Sequence, residues 1–295
     1  MVRRKIRRTA DEAIFDAINV ALLLLVASCM VVPFLHVIAT SFSSPQAVNA
    51  SKVLLTPVWP TVAAWEYIIT NQKMLSSLMV NIFNTVIGVA GAMVFSIIFA
   101  YPLSRKRFRL GKIIMIVIIF TMIFRYPIVP YFLTVRAIGL YDRIWVMIVP
   151  GMINAYHIII MRTFFRQIPE GLEESAQIEG ANALQILVRV VLPLSKPMLA
   201  TIALFHAVIQ WNIFFHALLF IRSDHLVPLQ LRLREMIAGA GAMVELGFFS
   251  DKIVQYSSET AKAAAVMFAT IPILIVYPFV QKHFVKGALL GSLKG

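Results

Sequence analysis

Apolar and polar residues divide this chain into long blocks. Six blocks are nearly free of charge, at 17–39, 78–103, from 113 onward, 144–161, 198–220 and 261–284. About 20 apolar residues in helical conformation cross the roughly 30 Å of bilayer hydrocarbon, so the pattern predicts an all-α polytopic membrane protein of six transmembrane helices. That leaves an N-terminal segment at 1–16, a membrane domain at 17–285 and a tail at 286–295. The blocks differ in their polar content. Asn81, Asn84, Gly88 and Gly91 in the second favour close helix packing over lipid contact. The third is clean only as far as Phe124, after which Arg125, Pro127, Pro130 and Arg136 interrupt it. Its helix is expected to continue through the prolines, buried against protein or facing a wet cavity. Pro150 and Gly151 suggest a kink in the fourth, which also holds Asn154 and His157. His206, Gln210, Trp211, Asn212 and His216 make the fifth the most polar, an arrangement that is expensive unless it faces a cavity or a partner helix.

The interval at 166–197 is patterned differently. Glu170, Glu173, Glu174 and Glu179 crowd into it, Pro169 suits a first helical turn, and Gly180 suits the left-handed residue just past a helix end. At 100° per residue Glu170, Glu173, Glu174 and Gln177 share one face, while Leu172, Ser175, Ala176 and Glu179 share the opposite one. Asn182 can cap a second short helix through Leu192, which Pro193 and Pro197 end. Two helices joined by a sharp bend are expected.

Charge orients the scheme. Of 27 Lys and Arg, 17 fall in the segments that alternation puts on the N-terminal side of the membrane. Arg105, Lys106, Arg107, Arg109 and Lys112 form the clearest cluster. By the positive-inside rule both termini, this basic turn and the 166–197 loop are cytoplasmic, and 41–77 and 221–260 lie outside. The net charge of +13 is thereby spread over short loops, with no basic arm of the kind that binds nucleic acid. The one cysteine, Cys29, permits no intrachain disulfide. No phosphate-binding Gly-rich loop ending in Lys and Ser or Thr occurs, the histidines lack metal-ligand spacing, and no catalytic set is visible.

The bent loop resembles the signature of ABC importer permeases: Glu174-Ser175-Ala176, then Gly180, then Val190-Val191-Leu192-Pro193. Ser175 replaces an Ala of that pattern, and Glu179 its usual Asp. Further pieces resemble the maltose-type carbohydrate branch, namely Thr40-Ser41-Phe42, Asn84-Thr85, Ala100-Tyr101-Pro102-Leu103-Ser104-Arg105, Trp211-Asn212 and Lys286-Gly287. The segment 154–235 looks most like permeases for uronic-acid oligosaccharides such as alginate or pectin fragments. The resemblance implies a multi-pass subunit of the bacterial inner membrane. It would pair with a second, homologous permease, two ATPase subunits that bind ATP and Mg, and an external solute-binding protein that delivers an oligosaccharide. No cofactor is expected in this chain. Glu170, Glu173, Glu174, Ser175, Ala176, Gly180, Leu192 and Pro193 would then form the ATPase-coupling loop, and 221–260 would reach toward the binding protein or be merely solvated.

A substrate pathway is suggested by Arg125, Tyr131, Asn154, Gln210, Trp211 and Asn212. Two readings of the Gln210-Trp211-Asn212 run stand side by side: a sugar-facing patch, or a polar clamp against the partner permease. Arg125 could meet a uronate carboxylate or snorkel to the outer headgroups. Neutral, maltose-like oligosaccharides are the alternative cargo. A secondary carrier or a membrane-embedded enzyme would need acids within the spans, and none of the six blocks contains Asp or Glu.

Overall fold

A computed structural model describes residues 10–124, 126–245 and 258–292, and the chain divides into two compact units. One comprises residues 1–70 and 237–268; the other comprises 71–236 and 269–295.

The first unit opens with α1 (Ala10–Ser41), whose most apolar window is wholly unburied. A helix that is apolar all round and touches little of its own chain is built for lipid or for other subunits. After it the chain folds back at Ser43, whose hydroxyl donates to the Ala39 carbonyl (2.6 Å) and accepts from the Val58 amide (3.0 Å). Ser44 caps α2 (Pro45–Asn49), and Ala39, Ala47 and Val53 form a small core. In α3 (Ala63–Thr70), Trp65 stacks on Phe42 and donates its indole N–H to Ser41.

The second unit is organised on α4 (Gln72–Ser104), which Asn71 caps. Its buried positions from Ser77 to Ala100, namely Ser77, Asn81, Asn84, Gly88, Ala92, Ser96 and Ala100, recur every three or four residues and are all small or amide. Such a stripe lets helix backbones approach closely where apolar burial from water cannot drive association. The third block forms α5 (Gly111–Ile123) and α6 (Ile128–Ala137). The expected continuation through the prolines does not occur. Phe124 is extended, and Pro127 both pushes its predecessor out of helical conformation and starts α6 afresh. The fourth block is α7 (Trp145–Ile148), a short turn over Val149–Gly151, and α8 (Ala155–Arg166), bent by 43°.

The signature loop forms α9 (Glu170–Ile178) and α10 (Ala183–Ile186). A wider π-helical turn at Leu187–Val191 and α11 (Leu192–Leu194) follow, so the second helix of the bend is not uniformly α. Pro193 has no N–H for the Arg189 carbonyl, and the Leu192 amide reaches back to Leu187. An 84° bend leads into α12 (Lys196–Trp211). The fifth block was expected to run unbroken to 220; it breaks at 212–214 and resumes as α13 (Phe215–Phe220). Beyond it come α14 (Leu229–Glu245) and α15 (Ser258–Ser292), the latter holding Pro272 and Pro278. Among the described residues three helices are long and apolar enough to cross a membrane singly, and up to six spans result if each of three bent pairs counts as one.

Within the second unit α4 packs on α8 and α12. Ala100, Leu103, Ile158, Met161, Phe165, Val191 and Ile202 form the core toward the signature loop. A second core, with Val135, Met147, Ala217, Phe220 and Leu231, gathers the start of the 221–260 loop. Residues 246–257 of that loop lie outside the described part of the chain.

Candidate functional site

The bend at Gly180 is closed by backbone alone. Gly180 has φ +84°, its N–H donates to Gln177 (2.9 Å), and the Ala181 N–H reaches Ala176 (2.9 Å). These two bonds satisfy the last carbonyls of α9, and the positive φ is what glycine supplies. Asn182 and Gln185 then exchange side-chain bonds to each other's amides and start α10 as a capping box.

Two acids of α9 pair with the basic turn at 105–110. Glu173, 8% exposed, is ion-paired with Arg105, and Glu170 bonds Lys106 at 3.0 Å. The Arg105 guanidinium also lies 4.9 Å above the Tyr101 ring, which packs edge-on against Phe165. Burial pushes the Glu173 carboxyl up, and Arg105, pulling it down, does not outweigh that; Glu170, which is exposed, is held below its ordinary value by Lys106. Glu174 is exposed and lines a groove of about 760 Å³ between α9 and the end of α4. Ala176 is half-buried against the core and so is Leu192, while Pro193 is exposed. Left on the outer side are Leu172, Ser175 and Ile178, the last 88% exposed. The basic turn had been read only for orientation. Its partnership with the acids could have been suspected from opposite clusters on one side of the membrane.

Of the candidate pathway residues that are described, Gln210 and Trp211 are bonded within the chain, and Tyr131, Asn154 and Asn212 each bond elsewhere. Gln210 and Trp211 are buried and their polar atoms are engaged by the chain itself. The Gln210 amide donates to Asn84 Oδ1 (3.1 Å) and to the Met147 carbonyl (2.6 Å), while the Trp211 indole donates to Ala269 (3.3 Å). Asn84 and Asn81 in turn donate to the carbonyls of Gln210 (3.3 Å) and Trp211 (3.2 Å). The polar clamp expected against a partner permease is, for these two side chains, a clamp within this chain. The asparagines also explain the break in the fifth block. They supply donors to carbonyls of the last turn of α12, which a helix ending within a membrane must otherwise leave bare.

Asn212 is exposed and bonds back to Val208. Asn154 caps α8 by accepting from the His157 amide. Tyr131 stacks on Tyr126, meets Phe220 edge-on, and shares a 2.8 Å hydrogen bond with His216. Arg125 lies outside the described residues. Sequence reasoning missed the buried pair His157 and His206, which share a 2.8 Å hydrogen bond between α8 and α12.

A profile of the family described as "Binding-protein-dependent transport system inner membrane component" matches residues 92–289. The chain is 43% identical over 286 residues to the polygalacturonan/rhamnogalacturonan transport system permease protein YtcP of Bacillus subtilis, covering 96% of this chain and 99% of that one. Protein LplC of the same organism is 39% identical, over 97% of both chains. Among solved structures, a chain from the crystal structure of a bacterial ABC transporter involved in the import of the acidic polysaccharide alginate matches with a TM-score of 0.85 and 36% identity, over 95% of this chain and 100% of that one.

Proposed function

The chain belongs to the family of binding-protein-dependent transport system inner membrane components, and from that premise we propose that it is the permease subunit through which an ABC importer passes acidic oligosaccharides. The observation that carries the mechanism is α9, a short helix fixed by its acids to the basic turn while Leu172, Ser175 and Ile178 face outward. Leu172, Ile178 and Leu184 are exposed apolar side chains on this loop, which a partner surface would cover. That partner is a separate ATPase subunit, whose motion the bend at Gly180 carries into α12. ATP and Mg belong to the ATPase pair. A second permease and an external binding protein complete the assembly. Both termini and the 166–197 loop face the cytoplasm, and 221–260 faces outward. The anionic cargo is supported by the likeness to permeases named for polygalacturonan and alginate.

Reconstituted with its partner subunits and binding protein, the complex should take up oligogalacturonates or oligouronates of the alginate type faster than maltooligosaccharides of equal length. Faster uptake of the neutral sugars would overturn the cargo and leave the importer role standing. Reporter fusions after Lys112, Lys196 and Lys286 should read cytoplasmic, and those near Val53 and Met243 external. An external signal after Lys196 would overturn the orientation.

A further inference from the structure

Arg105 and Lys106 line a second cavity, of about 460 Å³, in which Lys112, Arg162 and Arg166 join them. It sits where the C-terminal ends of α4 and α8 meet the start of α5, so it opens at the rim of the spans. No carboxylate lines it. Glu173 and Glu170 engage Arg105 and Lys106, whereas Lys112, Arg162 and Arg166 have no carboxylate partner among the described residues. The Arg162 Nε donates to the Leu103 carbonyl (2.9 Å), which fixes the guanidinium against the wall. Converging cations without a counterion repel one another, and at a membrane rim the repulsion is strong unless an anion enters.

The rest of the lining identifies the anion. Phe108, Met115 and Ile116 supply an apolar wall beside the charges. α5 buries none of its side chains, and Ile113, Ile116 and Phe120 present an exposed apolar surface that begins at the cavity. A phosphodiester would meet the guanidinium and ammonium groups while its acyl chains lie along α5, a match that free phosphate makes only in part. We propose that this cavity is a binding site for the headgroup of an anionic glycerophospholipid. The inference rests on the chain's spanning a membrane and is independent of the sugar, so either can fail alone.

The test uses the full-length protein in nanodiscs of phosphatidylcholine with a minor share of phosphatidylglycerol, and counts phosphatidylglycerol retained per chain by native mass spectrometry after detergent extraction. Lys112→Gln with Arg166→Gln removes two cations whose side chains hold no ion pair among the described residues, so folding is expected to survive. Relative affinity for phosphatidylglycerol should fall roughly 30-fold, the expectation for two surface cations. Arg107→Gln with Arg109→Gln, equal in charge but outside the cavity, should lower it much less, because neither side chain lines the cavity. Equal loss in the two double variants, or loss in neither, would overturn the site. Displacement of the lipid by inorganic phosphate would overturn the lipid in favour of a free anion. In the first double variant purified together with the ATPase subunit, loss of that subunit with lipid retention unchanged would assign the cavity to that partner instead.

Discussion

Two polar assemblies hold the second unit together, one within the spans and one at their end. Inside, Gln210, Asn84, Asn81 and Trp211 tie α12 to α4 through neutral amides and backbone carbonyls. At the end, Glu173 and Glu170 tie α9 to the 105–110 turn through charge. Amides can satisfy one another without water, and an ion cannot be left in hydrocarbon, so the division follows the dielectric. It also divides labour. The amide clamp fixes where α12 ends, while the ionic clasp holds the helix that we propose docks on a partner subunit.

The clamp should be the more expensive to break. Gln210→Leu leaves Asn84 Oδ1 and the Met147 carbonyl without the donor they share, at a cost of roughly 2–4 kcal/mol. A Cβ on Gly88 would come within 2.7 Å of the Gln210 side chain, so Gly88→Ala should be nearly as damaging in the native background. In a Gln210→Ala background Gly88→Ala should cost far less, and a double-mutant cycle of thermal stability reads that difference. Additive losses would mean that the two residues do not act as one contact.

The clasp comes next. Arg105→Leu strands a mostly buried Glu173 and should destabilise by about 2 kcal/mol, less than a fully interior pair because water reaches the basic turn. Arg105→Leu with Glu173→Leu should recover most of it, as measured by protease resistance of the loop. If the double variant is no better than the single, Arg105 acts through the Tyr101 ring.

Gly180→Val sets the hinge itself under strain of roughly 1 to 2 kcal/mol. Assembly with the other subunits should survive, while stimulation of ATP hydrolysis by loaded binding protein should be lost in proteoliposomes. Normal stimulation in an assembled complex would remove the bend from the coupling path.

The smallest effect is on pH. Glu170 is held low by Lys106, so its link stabilises above the ordinary carboxylate range and is lost as pH falls through the depressed value. Glu173 is pushed up by burial, so its contribution has the opposite sense, present below its ordinary value and lost as pH rises through the raised one. Glu170→Gln should therefore flatten the acid side of a thermal-melt pH profile, and Glu173→Gln should steepen it. Identical profiles for both would mean that neither acid titrates in the folded loop.

What the sequence disclosed was local. The turn at Gly180 and the cap at Asn182 are each written within a few consecutive residues and formed as expected, whereas the third and fifth apolar blocks are broken, before Pro127 and at 212–214. Neither assembly was legible in that way. Gln210 and Asn84 stand 126 residues apart, and only the packing of α12 on the small-residue stripe of α4 makes them neighbours. Helical periodicity put Glu173 on one face with Glu170, Glu174 and Gln177, and all four line one groove, but that Arg105 stands across from them is set by tertiary packing. Pro127 was legible but misjudged, because a proline in a membrane span can either kink a helix or end it.

Gly180 has one more consequence. A Cβ there would find nothing within 4 Å, so no neighbouring element dictates the turn. Its shape is written entirely in the residues from α9 to the Asn182 cap. A part specified by its own short text can be transplanted. If the proposed coupling role holds, permeases of different cargo can trade this segment and keep the same ATPase, while the spans around it diverge to suit what they carry.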